Sequence, residues 1–162
     1  MVNIVIEVSK YLLILLIAAY TYWNFSYFRF RDPWQQGRVC VRQNAAMFLL
    51  HFVAYAVLFL KSEDERVILF YLAQVVFLAV YLGLYKVFYP LRSRLLVNNM
   101  CMLLCIGFVI LTRLDFDKAI RQFVIVAISA LITWIIPFIL ERVWQLANIP
   151  WVYGFAGLAL LI

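Results

Sequence analysis

The sequence predicts an all-α, polytopic transmembrane helix bundle with five full spans plus a truncated sixth. Three observations predict it. The 162 residues are 68% hydrophobic and only 14% charged, with a mean hydropathy of +0.99, whereas an average soluble domain is roughly 45–50% apolar and about 25% charged. A soluble chain of this size keeps too much surface in water to hide so much apolar side chain. The apolar residues are gathered into runs near the roughly 20 residues that a spanning helix needs. Inside those runs there is no polar–apolar alternation, which rules against a membrane β-barrel: Leu12 to Ile17 and Phe123 to Ile128 are apolar all round.

The first run covers Tyr11 to Phe28 and passes well beyond a signal-peptide core without a small-residue cleavage site, so it reads as a span that stays. The second runs from Ala45 to Leu60, with Asn44 at its edge. The third runs from Val67 to Tyr89 and stops before Pro90, which cannot continue a helix. The fourth spans Leu95 to Thr112. The fifth spans Ala119 to Leu140, with Pro137 expected to kink its last turns. The sixth starts at Ile149, where Pro150 and Trp151 suit an interfacial helix start, and stops at Ile162 after fourteen residues. At 1.5 Å per residue that is about 21 Å against a core of about 30 Å, so further spans are expected.

The net charge of +6 is distributed between the spans. One set of loops holds Arg29, Arg31, Arg38, Arg42, Lys86, Arg92, Arg94 and Arg142. The other holds Lys10, Lys61, Arg66, Arg113, Lys118 and Arg121. Eight basic residues against six place the first set in the cytoplasm and the N-terminus outside. The long stretch Arg29–Gln43 is expected to be a cytoplasmic loop. Anionic headgroups are the partner this charge implies. No basic run interleaves with stacking aromatics, so nucleic acid is discarded.

The polar residues inside spans read mostly as packing. His51 and Gln74 are expected to face the bundle and hydrogen-bond a neighbouring helix. Asn98 and Asn99, one turn into the fourth span, read as hydrated at the headgroups. Ser129 and Thr133, four apart, are expected to satisfy themselves on the preceding turn. Cys101 and Cys105 share one helix face and read as small apolar packing residues. Three cysteines and one histidine offer no ligand cluster, and no charged residue sits at mid-membrane to mark an ion path. No metal or cofactor is expected.

The segment from Leu95 to Leu114, with Ala119-Ile120-Arg121-Gln122-Phe123 after it, resembles the opening helical pair of the FtsW/RodA/SpoVE family of bacterial cell-cycle and cell-shape membrane proteins. Ile106-Gly107, Thr112-Arg113-Leu114 and Arg121-Gln122 carry the resemblance, over residues 95 to 162. It implies two parts, an added N-terminal three-helix membrane module over 1–90 and the first helices of a family-like core over 91–162. It also implies the N-terminal membrane portion of a peptidoglycan glycosyltransferase in the bacterial cytoplasmic membrane. Such an enzyme polymerises undecaprenyl-linked lipid II beside a class B penicillin-binding transpeptidase. The family's catalytic acid lies in a later outer loop, so no catalytic residue is expected here, and Asp115 and Asp117 are read as turn residues. Arg113, Arg121 and Gln122, at the outer interface, are the candidates to meet a pyrophosphate headgroup. The alternatives are a non-enzymatic multi-pass scaffold and, behind it, a small transporter, which would need broken helices or buried charges.

Overall fold

A computed structural model describes residues 2–89, 93–142 and 150–161. They form six helices, α1 (Val2–Arg29), α2 (Pro33–Ser62), α3 (Glu65–Phe88), α4 (Arg94–Leu114), α5 (Phe116–Arg142) and α6 (Pro150–Leu161), and no strand occurs among the described residues. Five of them, α1 to α5, are long and apolar enough to cross a membrane. The chain is an all-α multi-pass membrane protein.

The helix limits correct the sequence reading at one place above all. The expected loop Arg29–Gln43 is mostly helix, because α2 begins at Pro33. Asp32 caps it: its Oδ1 accepts the Trp34 N–H at 3.2 Å, and Pro33 takes the first helical position, where its missing N–H costs nothing. Hydropathy sees only the lipid-embedded part of a helix, so the polar turns from Gln35 to Gln43 look like loop. At 30 residues α2 is about 45 Å long, half as long again as a hydrocarbon core of about 30 Å. α1 likewise starts well before Tyr11. α5 continues past Pro137 to Arg142. Pro90, Arg92, Ile149 and Ile162 lie outside the described residues.

The remaining turns are built by side-chain caps. Glu63 ends α2 in the left-handed region (φ 52°), and its N–H returns to Phe59 O at 2.8 Å. Asp64 then starts α3, its Oδ1 accepting the Arg66 N–H at 3.0 Å. Ser93 caps α4. Asp115 joins α4 to α5: its N–H reaches Leu111 O, and its Oδ1 accepts the Lys118 N–H at 3.0 Å.

The chain divides into two compact units, Met1–Phe123 and Val124–Ile162. In the first, α2 is the central helix, touching α1, α3 and α4. Its wide buried face, from Val39 through Met47 and Leu50 to Tyr55, serves three neighbours. α3 needs only a single stripe, Val67, Phe70, Gln74 and Leu78. α4 buries Asn98, Cys101, Met102, Cys105 and Phe108, a three-and-four spacing on one face. The main core joins Leu16 and Tyr20 of α1, Met47 and Leu50 of α2, Leu78 of α3 and Cys101 and Cys105 of α4. A second cluster seats the start of α5: Phe123 meets Phe70, Phe77 and Phe108 edge-on, with ring centroids 5.5–5.6 Å apart. Lipid tails are as apolar as these side chains, so close packing and polar contacts hold the helices together, with no water-driven collapse between them.

In the second unit, Thr133 Oγ1 donates to Ser129 O at 2.7 Å, the expected return to the preceding turn. α6 exposes Trp151, Phe155 and Leu158 along one stripe.

Candidate functional site

The chemistry of the first unit lies in its interior, where polar side chains from four helices meet at two levels. The first level is near the Arg-rich ends of α2 and α4. Asn98 is only 3% exposed. Its Nδ2 donates to the Cys40 carbonyl at 3.1 Å and to Gln43 Oε1 at 3.3 Å. The next residue on α4, Asn99, accepts the Tyr20 hydroxyl through Oδ1 at 3.0 Å. Both asparagines were expected to be hydrated at the headgroups; buried Asn98 overturns that, while Asn99 is half-buried. Position near a helix start suggested water, but α1 and α2 cover this face of α4 and supply the partners instead. No feature local to α4 carries that information; the polar Gln43 in a helix later found to begin at Pro33 is the one available signal.

The second level lies toward the opposite end. Tyr55 of α2 donates its hydroxyl to Gln74 Oε1 of α3 at 3.0 Å and stands 2.8 Å from Thr112 Oγ1 of α4. Thr112 in turn bonds to the Phe108 carbonyl of its own helix at 2.7 Å. His51 is fully buried one turn from Tyr55, its ring 4.7 Å from the Tyr55 ring and 5.4 Å from that of Tyr71. Gln74 is also fully buried and interacts with His51. The expected burial of His51 and Gln74 on the bundle face is therefore what the fold shows, and Gln74 bonds across to α2.

The proton inventory of this level is informative. Tyr55 and Thr112 have two hydroxyl protons for three contacts. In this arrangement Gln74 Nε2 and both His51 nitrogens meet no acceptor or donor at bonding geometry. Exchanging the amide nitrogen and oxygen of Gln74, which are interchangeable in shape, removes the conflict. The amide then donates to Tyr55, Tyr55 to Thr112, and Thr112 to the Phe108 carbonyl. The Gln74 oxygen is then left as an acceptor on the side of the buried His51 ring. Buried polar groups without partners are costly, so a single direction of donation through α2, α3 and α4 is the stable state.

The buried polar residues among the described ones are Ser9, Gln43, His51, Gln74 and Asn98, with no Asp, Glu, Lys or Arg. Cys40, Cys101 and Cys105 are buried thiols, and Cys101 and Cys105 pack in the core as the sequence suggested. No group of three or more His, Cys, Asp or Glu among the described residues has metal-holding geometry.

The sequence-predicted interface residues lie elsewhere. Arg113 is in the last turn of α4, and Arg121 and Gln122 are in the second turn of α5. All three are exposed. Asp115 lies in the connecting turn and Asp117 in the first turn of α5. Asp115 has a structural partner: Lys118 gives it a backbone N–H and a salt bridge of 3.1 Å. Those bonds hold its carboxyl below the usual carboxylate range, the backbone donor first. Gly107, central to the resemblance, has no neighbour within 4 Å of where a Cβ would stand, so no close helix approach requires it.

Comparison with protein-family models, curated proteins and solved structures finds no match to this chain.

Proposed function

We propose that this chain serves as a non-enzymatic multi-pass membrane scaffold, a rigid helical unit held by interhelical hydrogen bonds. The observation that carries the reading is the interior itself. Asn98 with Gln43 and Cys40, Asn99 with Tyr20, and Tyr55 with Gln74 and Thr112 join helix to helix. A path for ions or protons needs charged or water-lined groups along it, whereas the buried polar residues described here include no Asp, Glu, Lys or Arg. Reconstituted in liposomes, the chain is expected to pass no proton, sodium or potassium current above that of empty vesicles. A sustained flux that Asn98→Leu or Gln74→Leu abolishes would sink the scaffold in favour of a transporter.

A second reading rests on the resemblance over residues 95–162. In it the chain is the N-terminal membrane portion of a peptidoglycan glycosyltransferase in a bacterial cytoplasmic membrane. The N-terminus and the α4–α5 turn face outward, and a class B penicillin-binding transpeptidase is the partner. What favours it is the exposure of Arg113, Arg121 and Gln122 around one turn, since uncommitted basic side chains at an interface suit a lipid-linked pyrophosphate. A photoreactive amino acid at position 121 decides between the readings. An adduct with lipid II, absent when the probe stands at position 66, supports the enzyme. Labelling no stronger at 121 than at 66 leaves the scaffold.

A further inference from the structure

A cavity of about 210 Å³ opens at the Arg-rich end of the first unit, lined by Tyr27, Pro33, Gln36, Gly37, Cys40 and Arg94. Three helices build it: the last turn of α1, the first turns of α2 and the start of α4. A Cβ at Gly37 would stand 3.5 Å from Arg94 Nη1, in ordinary van der Waals contact. Any larger side chain at 37 would fill the space beneath the guanidinium.

The cavity is cationic, and its cation is uncommitted. The salt bridges among the described residues are Glu7–Lys10, Asp64–Arg66 and Asp115–Lys118, all away from it. The acid in the α1–α2 turn, Asp32, is occupied in capping α2. Gln36 is also occupied, its Nε2 donating to Phe30 O at 2.8 Å. The Tyr27 hydroxyl makes no hydrogen bond to any described residue and lines the same space. An Arg fork and a phenol side chain in one cavity that no carboxylate lines fit the non-bridging oxygens of a phosphodiester. Arg29, Arg31, Arg38 and Arg42 raise the local potential further.

The surroundings select the source of that phosphate. Phe28, Trp34 and Val41, each next in the chain to a lining residue (Tyr27, Pro33 and Cys40), are about two-thirds or more exposed. Trp34 carries the Arg38 guanidinium 3.8 Å over its ring. Aromatic and aliphatic side chains standing out beside a cationic pocket mark the level where headgroup meets acyl chain. A free anion in water would gain nothing from them. We infer that this cavity binds the phosphodiester of an anionic phospholipid, with Arg94 and Tyr27 as its donors and Gly37 as the residue that leaves it room. The site is independent of both readings of the protein's function.

The test uses the whole chain purified in a mild nonionic detergent. Short-chain phosphatidylglycerol, phosphatidylcholine and inorganic phosphate are titrated separately, and bound species are counted by native mass spectrometry. Phosphatidylglycerol is expected to bind well ahead of phosphatidylcholine. Arg94→Gln and Gly37→Leu are each expected to weaken it about tenfold, the scale of one charge-assisted hydrogen bond. Arg42→Gln, which removes a charge at the same end outside the cavity, is expected to change binding less than threefold. Equal losses for Arg42→Gln and Arg94→Gln would mean a diffuse charge effect and overturn the site. So would unchanged binding in both cavity variants, or competition by inorganic phosphate at the same concentration as the lipid. Should Arg94→Gln fold poorly by circular dichroism, Gly37→Leu and Tyr27→Phe carry the test.

Discussion

Asn98 and Tyr55 are the two side chains on which the interior depends, and they depend on each other's helices in different ways. Asn98 satisfies a backbone carbonyl and an amide on α2 together. Its replacement by Ala removes both bonds and leaves Gln43 Oε1 without this donor in a dry setting. Gln43 already has a buried Nε2 without a partner. The expected cost is about 1–2 kcal/mol, above the average of about 0.6 for interhelical bonds in membranes because two bonds are lost at once. Asn99→Ala removes a single, half-buried bond to Tyr20 and is expected to cost less than about 1 kcal/mol. Unfolding by SDS in mixed micelles measures both; a cost for Asn99→Ala equal to that for Asn98→Ala would contradict this ordering. Of these residues the sequence showed that His51 and Gln74 point inward, because a polar group amid so much apolar side chain has nowhere else to go. It misplaced Asn98, because the group that satisfies it lies 58 residues away and no local pattern encodes that distance.

At the scale of elements, five spans were legible because a lipid-crossing helix must be continuously apolar over a fixed length, a constraint the membrane writes into the chain. Their ends were not legible to the same degree. Where a helix leaves the lipid, capping decides its limit, as Asp32 and Pro33 do for α2. The turns that begin α3 and α5 have their own pH dependence. Asp64 and Asp115 each accept a backbone N–H, from Arg66 and Lys118, and this is the first cause of their lowered pKa values. Each carboxyl therefore holds its proton less tightly in the folded chain than in the unfolded one. The stabilisation is complete above the unfolded value of about 3.9 and is lost as pH falls through the lower folded value. Acidification from pH 6 toward pH 3 is expected to speed hydrogen exchange at the Arg66 and Lys118 amides ahead of the helix centres, after correction for the intrinsic rate. Asp64→Asn and Asp115→Asn are expected to flatten that response at their own turns. A profile unchanged in both variants would show that other groups govern it.

For the whole molecule, the basic residues collect at the α1–α2 and α3–α4 ends, and the mixed-charge turns Lys61–Arg66 and Arg113–Lys118 at the other. The positive-inside rule predicts a cytoplasmic Arg-rich end, and on that prediction a cysteine at position 64 is expected to react with a membrane-impermeant maleimide in intact cells. One at position 35 should react only after permeabilisation. The reverse pattern would invert the whole bundle. The native thiols do not obscure the result, because Cys40, Cys101 and Cys105 are all buried.

The two polar levels sit near opposite ends of one helix. α4 is tied to α2 through Asn98 and to α1 through Asn99 at one end, and to α2 again through Thr112 at the other. Fourteen residues separate Asn98 from Thr112, about 21 Å along the axis. A helix is stiff along its length, so a push at one end reaches the other undiminished. A piston stroke of one turn, about 5.4 Å, would have to break all three ties at once, and a rotation would swing Asn98 and Thr112 out of reach together. α4 is thus a strut tied at both ends, and any signal that slid it by a turn would first have to break its bonds to α1 and α2 together.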